Sequence, residues 1–316
     1  GLDNNAYTNI MASWTLARAL DALALLPDER CRRLCETLGL GQDEIEAFDE
    51  VSRKLRLPFH GDGIISQFEG YERLEEFDWE GARKRHGAIQ RLDRLLEAEG
   101  DTPNRYKASK QADVLMLFYL FSAEELTLIF ERLGYDFDPA MIPRNIEYYL
   151  QRTSHGSTLS WVVHSWVLAR ANRPRSWQMF CEALQSDVAD TQGGTTPEGI
   201  HLGAMAGTVD LVQRCYTGIE ARGGVLHIDP CLPDQLQRLR TEVRYRRQIL
   251  DLEVDHEVLR VSSRPFAAMP VTIAYRGHFR EISPGQSYEF RLIKPRAARA
   301  PCAPAALKPE RKGRPS

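Results

Sequence analysis

The chain has 316 residues, 43% hydrophobic and 27% charged, with a formal net charge of −3 and a pI near 6.3. That balance fits a soluble globular protein with one large domain, or a large and a small one, and offers no general attraction to nucleic acid. No signal peptide and no apolar run long enough to cross a bilayer is read, so no membrane partner is expected. Six cysteines, at 31, 35, 181, 215, 231 and 302, show no paired spacing and predict reduced thiols in a cytoplasmic protein.

Asp3 to Leu26 predicts a helix, with Ala, Leu, Met and Trp recurring at three- and four-residue spacing and Pro27 closing it. Its entry, Asp3-Asn4-Asn5 with Tyr7, Thr8 and Asn9, holds more hydrogen-bonding side chains than one cap requires, and the excess invites a ligand. A charged amphipathic helix follows over Gln42–Leu57. Pro58 to Gly63 breaks the chain, and Ile64 to Trp79 reads as a long loop. Its Phe68, Tyr71, Phe77 and Trp79 either stack on sugars or pin the loop to the core. Lys107 to Asp113 leads into Val114–Leu120, which is apolar all round and therefore a buried helix. Lys110, Gln111 and Asp113 are costly to bury unless paired. Either Lys110 and Asp113 pair on a solvated face, or these residues share a polar pocket. Ala123–Leu133 is a helix ended by Gly134, and Pro143 opens a short one through Leu150.

The stretch Arg152-Thr-Ser-His-Gly-Ser-Thr-Leu-Ser160 concentrates a histidine, a glycine and hydroxyls immediately before the apolar, helical run Trp161–Ala169. Two readings stand. Ser157 or Thr158 caps the helix and His155 is a turn residue, or the uncovered N–H groups at the helix start hold a phosphate, sulfate or carboxylate. Arg175–Ser186 is helical. Asp187 to Thr196 forms a second loop, with Gly193, Gly194 and Thr195, ahead of a helix opened by Pro197. Two such loops point to one anion gripped between them. From Gly223-Gly224 the texture changes to short strands at Val225–Ile228, Leu239–Tyr245, Ile249–Asp255, Val258–Ser262, Val271–Tyr275 and Ser287–Ile293. The expected organisation is mainly α over residues 1–222, a small β-sandwich over 223–294, and a disordered basic tail over 295–316.

Four stretches together resemble the glycoside hydrolase family 65 phosphorylases, the group of the maltose, trehalose and kojibiose phosphorylases. They are Asp3-Asn-Asn-Ala-Tyr-Thr-Asn9, Lys110-Gln-Ala-Asp113, Thr153-Ser-His-Gly-Ser-Thr-Leu-Ser160 and Gly193-Gly-Thr-Thr-Pro-Glu-Gly-Ile-His201, in matching order over roughly residues 1 to 293. The resemblance implies an (α/α)6 toroid followed by a small β-sandwich. The helices read up to residue 222 supply only about half to two-thirds of twelve, so the toroid is expected to be incomplete. Sequence before Gly1 would hold the remainder.

The chemistry implied is inverting phosphorolysis: an α-glucosyl disaccharide and inorganic phosphate give β-glucose 1-phosphate and a sugar, with no cofactor and no metal. Phosphate replaces the base-activated water of an inverting hydrolase, so no second carboxylate is needed. The resemblance makes His155, Gly156, Ser157 and Thr158 the phosphate loop, Gly193, Gly194 and Thr195 its second wall, and Lys110 and Gln111 sugar contacts. Glu198 and His201 are assigned beside the sugar. The family's general-acid glutamate belongs to a segment just ahead of the Asp-Asn-Asn-Ala-Tyr stretch, where only Gly1-Leu2 stands, so the catalytic acid is expected outside this chain and the chain alone is expected to be inactive. Glu69, Glu72, Glu75 and Glu76 read as solvated charges. The other histidines, 60, 86, 164, 227, 256 and 278, read as turn or surface residues. A hydrolase of the same family and a non-catalytic sugar- or phosphate-binding protein are the alternatives; the absence of a carboxylate from the Thr153–Ser160 loop counts against the hydrolase. Family members are often homodimers, and the acceptor sugar is not specified by these residues.

Overall fold

Asn5, not Asp3, starts the first helix. Its side-chain carbonyl accepts from the Thr8 amide at 3.0 Å, so α1 runs Ala6–Leu25 and ends where Leu26 turns extended before Pro27. The computed structural model describes residues 2–87, 89, 91–189, 197, 199–265 and 267–293. They fall into two compact units, one up to Gly156 and one from Ser157 onward.

In the first unit, α1 is followed by α2 (Asp28–Leu38) and α3 (Gln42–Lys54). The sequence reading passes over α2, because it is charge-rich and buries none of its residues; Gly39, at φ 69°, closes it. α1 and α3 pack together, and the buried Ser13 hydroxyl donates to the Ser52 carbonyl at 2.6 Å. The expected Ile64–Trp79 loop is more ordered than a loop. It begins in a hairpin of β1 (Phe59–His60) and β2 (Ile64–Ile65) and contains a 3-10 turn at Tyr71–Arg73. It then meets two short helices, α4 (Trp79–His86) and α5 (Leu92–Ala98). Phe77 and Trp79 pack against Ala82, Ile89, Leu92 and Leu96, and Tyr71 is buried edge-on to Phe68. These aromatics pin the segment to its core.

α6 (Asp113–Leu120) buries Val114, Leu115, Leu117 and Phe118, as its uniform apolarity predicts. α7 (Ala123–Arg132) opens with a capping box between Ser122 and Glu125. α8 (Met141–Leu150) holds the hairpin through one buried amide. Asn145 accepts from the Ile65 N–H at 2.9 Å and donates to the carbonyls of Gly63 at 3.0 Å and Met141 at 2.9 Å.

The second unit begins with α9 (Thr158–Leu168) and α10 (Arg173–Gln185), joined by reciprocal hydroxyl bonds: Ser176 donates to the Ser165 carbonyl at 2.6 Å and Ser165 to the Ser176 carbonyl at 2.9 Å. The helix expected from Pro197 starts instead at Leu202; α11 (Leu202–Asp210) has His201 as its N-cap and runs on into a π-helical turn, Leu211–Tyr216. Strands β3 (Ile219–Arg222) and β4 (Val225–Ile228) follow. Gly223-Gly224 is therefore the turn of a hairpin, and the sheets begin ahead of it.

Next come β5 (Leu239–Tyr245), β6 (Gln248–Val254), β7 (Val258–Ser263), β8 (Val271–Tyr275), β9 (His278–Ile282) and β10 (Ser287–Arg291). They form two four-stranded sheets, ordered β10-β7-β6-β5 and β3-β4-β8-β9, with β4 and β8 parallel. β3 and β9 escape the sequence reading because neither alternates clearly; β9 is exposed at every position but Ile282. Strict alternation in β6 buries Gln248, Leu250, Leu252 and Val254. The two sheets meet through Tyr275 and Phe290, 5.9 Å between ring centres, and through Gln248, which donates to the Ile282 carbonyl at 3.2 Å. Among the described residues no helix is long and apolar enough to cross a membrane.

The Asn145 clamp gives a direct stability test. Asn145→Ala leaves the Ile65 N–H and Gly63 carbonyl buried without their partner, and is expected to cost about 1–3 kcal/mol or more in urea unfolding. Gln151→Ala, which removes only an exposed bond to Glu147 one turn away on the same helix, is expected to change it by less than about 0.5 kcal/mol.

Candidate functional site

The first unit brings two of the four motif stretches directly together and sets a third beside them. The Asn5 side chain donates to the Asp113 carboxylate, tying the start of α1 to the start of α6. Gln67, buried in the segment between them, completes the join. Its main-chain carbonyl accepts from the Ala6 amide at 3.0 Å and its side-chain carbonyl from the Asp113 amide at 3.2 Å. Two helix N-termini thus share one glutamine. Nothing in the spacing of the sequence singled out Gln67; only its place among buried aromatics hinted that it was held.

Part of the polar excess at the entry of α1 is bound within the chain. Asn4, in the left-handed region at φ 50°, donates to Glu69 at 2.6 Å, and Asn9 donates to the Arg56 carbonyl at 2.7 Å. Asp3 offers its carbonyl to the Glu69 amide at 2.9 Å. Of the two readings for Lys110, the pair with Asp113 is not formed: Asp113 is bound to Asn5, while Lys110 is exposed and makes no ion pair among the described residues. Burial raises the Asp113 pKa above the ordinary carboxylate value, and the Asn5 bond only partly opposes it.

The third stretch runs alongside the second. Ser109 and Thr153 form a parallel main-chain bridge: the Ser109 amide donates to the Arg152 carbonyl and the Ser154 amide to the Ser109 carbonyl, both at 2.9 Å. The Thr153 hydroxyl donates back to the Tyr149 carbonyl at 2.7 Å, fastening the stretch to the end of α8. Lys110 and Gln111 therefore leave the bridge on one strand as His155 and Gly156 leave it on the other. His155 sits at φ 54°, an unusual conformation for a residue with a Cβ, so the chain turns sharply there. The Ser109 hydroxyl is buried beside this bridge with no hydrogen-bond partner among the described residues.

Arg152 anchors the bridge from outside. It makes two bonds of 3.0 Å to Glu76 and lies 3.8 Å over the ring of Tyr148. Partial burial works against ionised Glu76, but Arg152 and Lys107 hold its pKa below the ordinary glutamate value. The glutamates of this segment are thus paired rather than merely solvated: Glu69 with Arg56, Glu75 with Arg105, Glu76 with Arg152 and Lys107.

In the second unit, Ser157 is the N-cap of α9 but its side chain makes no cap bond, so the capping reading fails at that residue; Thr158 is buried in the first turn. His201 is fixed by an aspartate that the sequence reading left in a loop. Asp187 accepts from the His201 ring at 2.5 Å and from its amide at 2.9 Å, and the ring bond lowers the Asp187 pKa. Gly193, Gly194, Thr195 and Glu198 lie outside the described residues. Two histidines read as turn or surface residues are neither. His164 is fully buried in α9, its pKa pushed down to about 4 by burial, and its ring donates to the Ser160 carbonyl at 2.7 Å. His60 is half-buried against Tyr71 and Tyr148. Among the described residues no group of three or more His, Cys, Asp or Glu is placed to hold a metal ion.

Comparison with known proteins accounts for these stretches together. Residues 1–210 match the glycosyl hydrolase family 65 central catalytic domain, and residues 219–278 match the C-terminal domain of the same family. An uncharacterized glycosyl hydrolase of Mycobacterium tuberculosis (strain H37Rv) is 53% identical over 289 residues, covering 92% of this chain and 22% of that protein. Trehalose 6-phosphate phosphorylase of Lactococcus lactis is 32% identical over 257 residues, covering 81% of this chain and 32% of that protein. This chain thus spans a third or less of the length of either curated relative. A putative kojibiose phosphorylase from the human microbiome shares the fold, with a TM-score of 0.71 at 19% identity over 93% of this chain and 40% of that one. With most of its length matched by the two domain models of one family, this chain belongs to glycosyl hydrolase family 65.

Proposed function

We propose that the chain supplies the phosphate- and sugar-binding side of an inverting α-glucoside phosphorylase. In that reaction an α-glucosyl disaccharide and inorganic phosphate give β-glucose 1-phosphate and the released sugar. The observation that carries this reading is the parallel Ser109–Thr153 bridge, which sets Lys110 and Gln111 beside the turn at His155. A cation and an amide next to a glycine-containing, hydroxyl-rich turn suit an oxyanion and a sugar hydroxyl. Among characterised relatives, the Lactococcus protein is a trehalose 6-phosphate phosphorylase and a Caldanaerobacter protein, 29% identical, is a kojibiose phosphorylase.

Each residue then has a role. His155, Gly156, Ser157 and Thr158, with Gly193, Gly194 and Thr195, hold the phosphate in line with the anomeric carbon; Lys110, Gln111, Glu198 and His201 contact the sugars. The stretch Thr153–Ser160 contains no carboxylate, so it lacks the base that would activate water and favours phosphate as nucleophile. An anionic nucleophile needs no deprotonation but must be held close to the reacting carbon, which positioning and electrostatics supply. The leaving oxygen still needs a proton. The general acid is assigned to a segment outside these 316 residues, as is the remainder of an (α/α)6 toroid. That assignment fits the greater length of the relatives. The helical part then ends with the π-helical turn at Tyr216 and the β domain begins at Ile219, in a soluble cytoplasmic enzyme using no cofactor beyond phosphate. Pairing into a homodimer would fit this reading.

The 316 residues alone are expected to release no measurable β-glucose 1-phosphate from trehalose, maltose or kojibiose, because loss of the acid removes about 10²–10⁴-fold. Product detected from the purified chain would overturn the assignment of the acid. In the full-length enzyme, Ser157→Ala with Thr158→Val is expected to raise the KM for phosphate by about tenfold or more, as expected for lost hydrogen bonds to a charged ligand. Equal turnover of the wild type in phosphate-free buffer would instead identify a hydrolase.

A further inference from the structure

Away from the motif stretches, the second unit holds two buried cysteines against each other. Cys215 lies in the π-helical turn that ends α11, and Cys231 lies in the segment after β4; they are 7% and 4% exposed. The Cys231 amide donates to the Tyr216 carbonyl at 2.9 Å, and its thiol lies 3.3 Å from the Cys215 carbonyl. The Cys215 thiol in turn faces the Trp166 carbonyl, 3.9 Å away. The segment is fixed at its start. Asp229 is gripped by Arg170 at 3.0 Å and by Arg276 at 2.9 Å, and Arg170 also donates to the Asp229 carbonyl at 2.9 Å. π-helical turns are uncommon and recur at functional positions, and here one presents a cysteine to a second, fixed cysteine.

A cleft of about 370 Å³ is lined by Arg173, Arg276 and His256, and by Pro230 and Leu232 on either side of Cys231. A small neutral oxidant entering it reaches Pro230 and Leu232, the chain neighbours of Cys231. The neighbouring Cys215 leads in lowering the Cys231 pKa to about 7, helped by Arg170 and Arg173 against the effect of burial. Cys215 is shifted the opposite way, mainly by burial. One thiol is thus the nucleophile and its neighbour the reserve. By contrast Cys181, elsewhere in the same unit, is raised by burial.

We propose that Cys231 and Cys215 form a peroxide-responsive thiol pair that closes to a disulfide between the end of the helical region and the start of the sheets. The Cys231 thiolate attacks one oxygen of hydrogen peroxide; the O–O bond breaks, hydroxide leaves as water after taking a proton, and Cys231 becomes a sulfenic acid. The Cys215 sulfur then attacks the Cys231 sulfur; the S–O bond breaks, and the departing hydroxide leaves as water with the Cys215 proton. Two thiols and one peroxide yield one disulfide and two waters, with the sulfurs oxidised and the peroxide reduced.

The test is peptide mapping of the full-length, fully reduced protein after a brief exposure to hydrogen peroxide. The expected product is a Cys215–Cys231 cross-linked peptide, two hydrogens lighter and reversed by dithiothreitol, formed about tenfold or more faster than any oxidation of Cys181. Cys215→Ser is expected to leave a dimedone-reactive sulfenic acid on Cys231, and Cys231→Ser to abolish both products. Cys215 and Cys231 remaining reduced while Cys31, Cys35 or Cys181 are oxidised would overturn the proposal. So would a sulfenic acid on Cys215 in the Cys231→Ser variant. The wild-type map decides the matter even where a variant fails to fold.

Discussion

Gln67 has to satisfy two helix starts with one residue, and the geometry of the first unit follows from it. A helix N-terminus leaves several amides without intrahelical acceptors, and a buried one must find them elsewhere. Asn5 supplies one for α1 through its side chain, while Gln67 supplies its carbonyl to Ala6 and its side-chain oxygen to Asp113. The Asn5–Asp113 bond then closes the set. The beginnings of α1 and α6 cannot part without exposing or orphaning these groups, so the Asp3–Asn9 and Lys110–Asp113 stretches are held as one piece. Asp113 is kept there at an electrostatic cost, since burial opposes its ionised form.

The Ser109–Thr153 bridge extends that piece to the third stretch by a different means. Main-chain bonds set the register of Lys107–Ser109 against Arg152–Ser154 without using side chains. Arg152 is committed to Glu76 on one side and the face of Tyr148 on the other. A flexible loop would have to be ordered by its ligand and would bind more weakly for it; a stretch clamped at Thr153 and Arg152 is ordered beforehand.

The parts of this architecture that sequence conveys are those set by periodicity. The uniform apolarity of Val114–Leu120, the helical run from Ala123 and the alternation through Leu250 and Leu252 each report a local pattern, and each element appears where the pattern puts it. What escapes is order without periodicity. α2 buries nothing and so has no apolar stripe to read. α4 and α5 are short and share one small cluster around Ala82 and Leu96, whose members come from separate helices. β9 shows its buried side at Ile282 alone. Pro197 misleads because a proline suited to a first helical turn is equally suited to the turn ahead of one, and the acceptor that fixes the true start, Asp187, stands far back in the chain.

The same distinction separates the candidate site residues into two kinds. Lys110, Gln111, His155 and Gly156 were found as parts of local stretches, and the structure shows the main-chain frame that carries them. Gln67, Asp187 and Arg152 with Glu76 act across long separations in sequence, and each touches a motif residue or the chain beside it. A motif therefore shows in the sequence as a local stretch, whereas the groups that hold it belong to the fold and become visible only with it. Each of these holders is one half of a pair: losing Asp187 takes the acceptor from the His201 ring and amide, and losing Glu76 takes the carboxylate partner from Arg152.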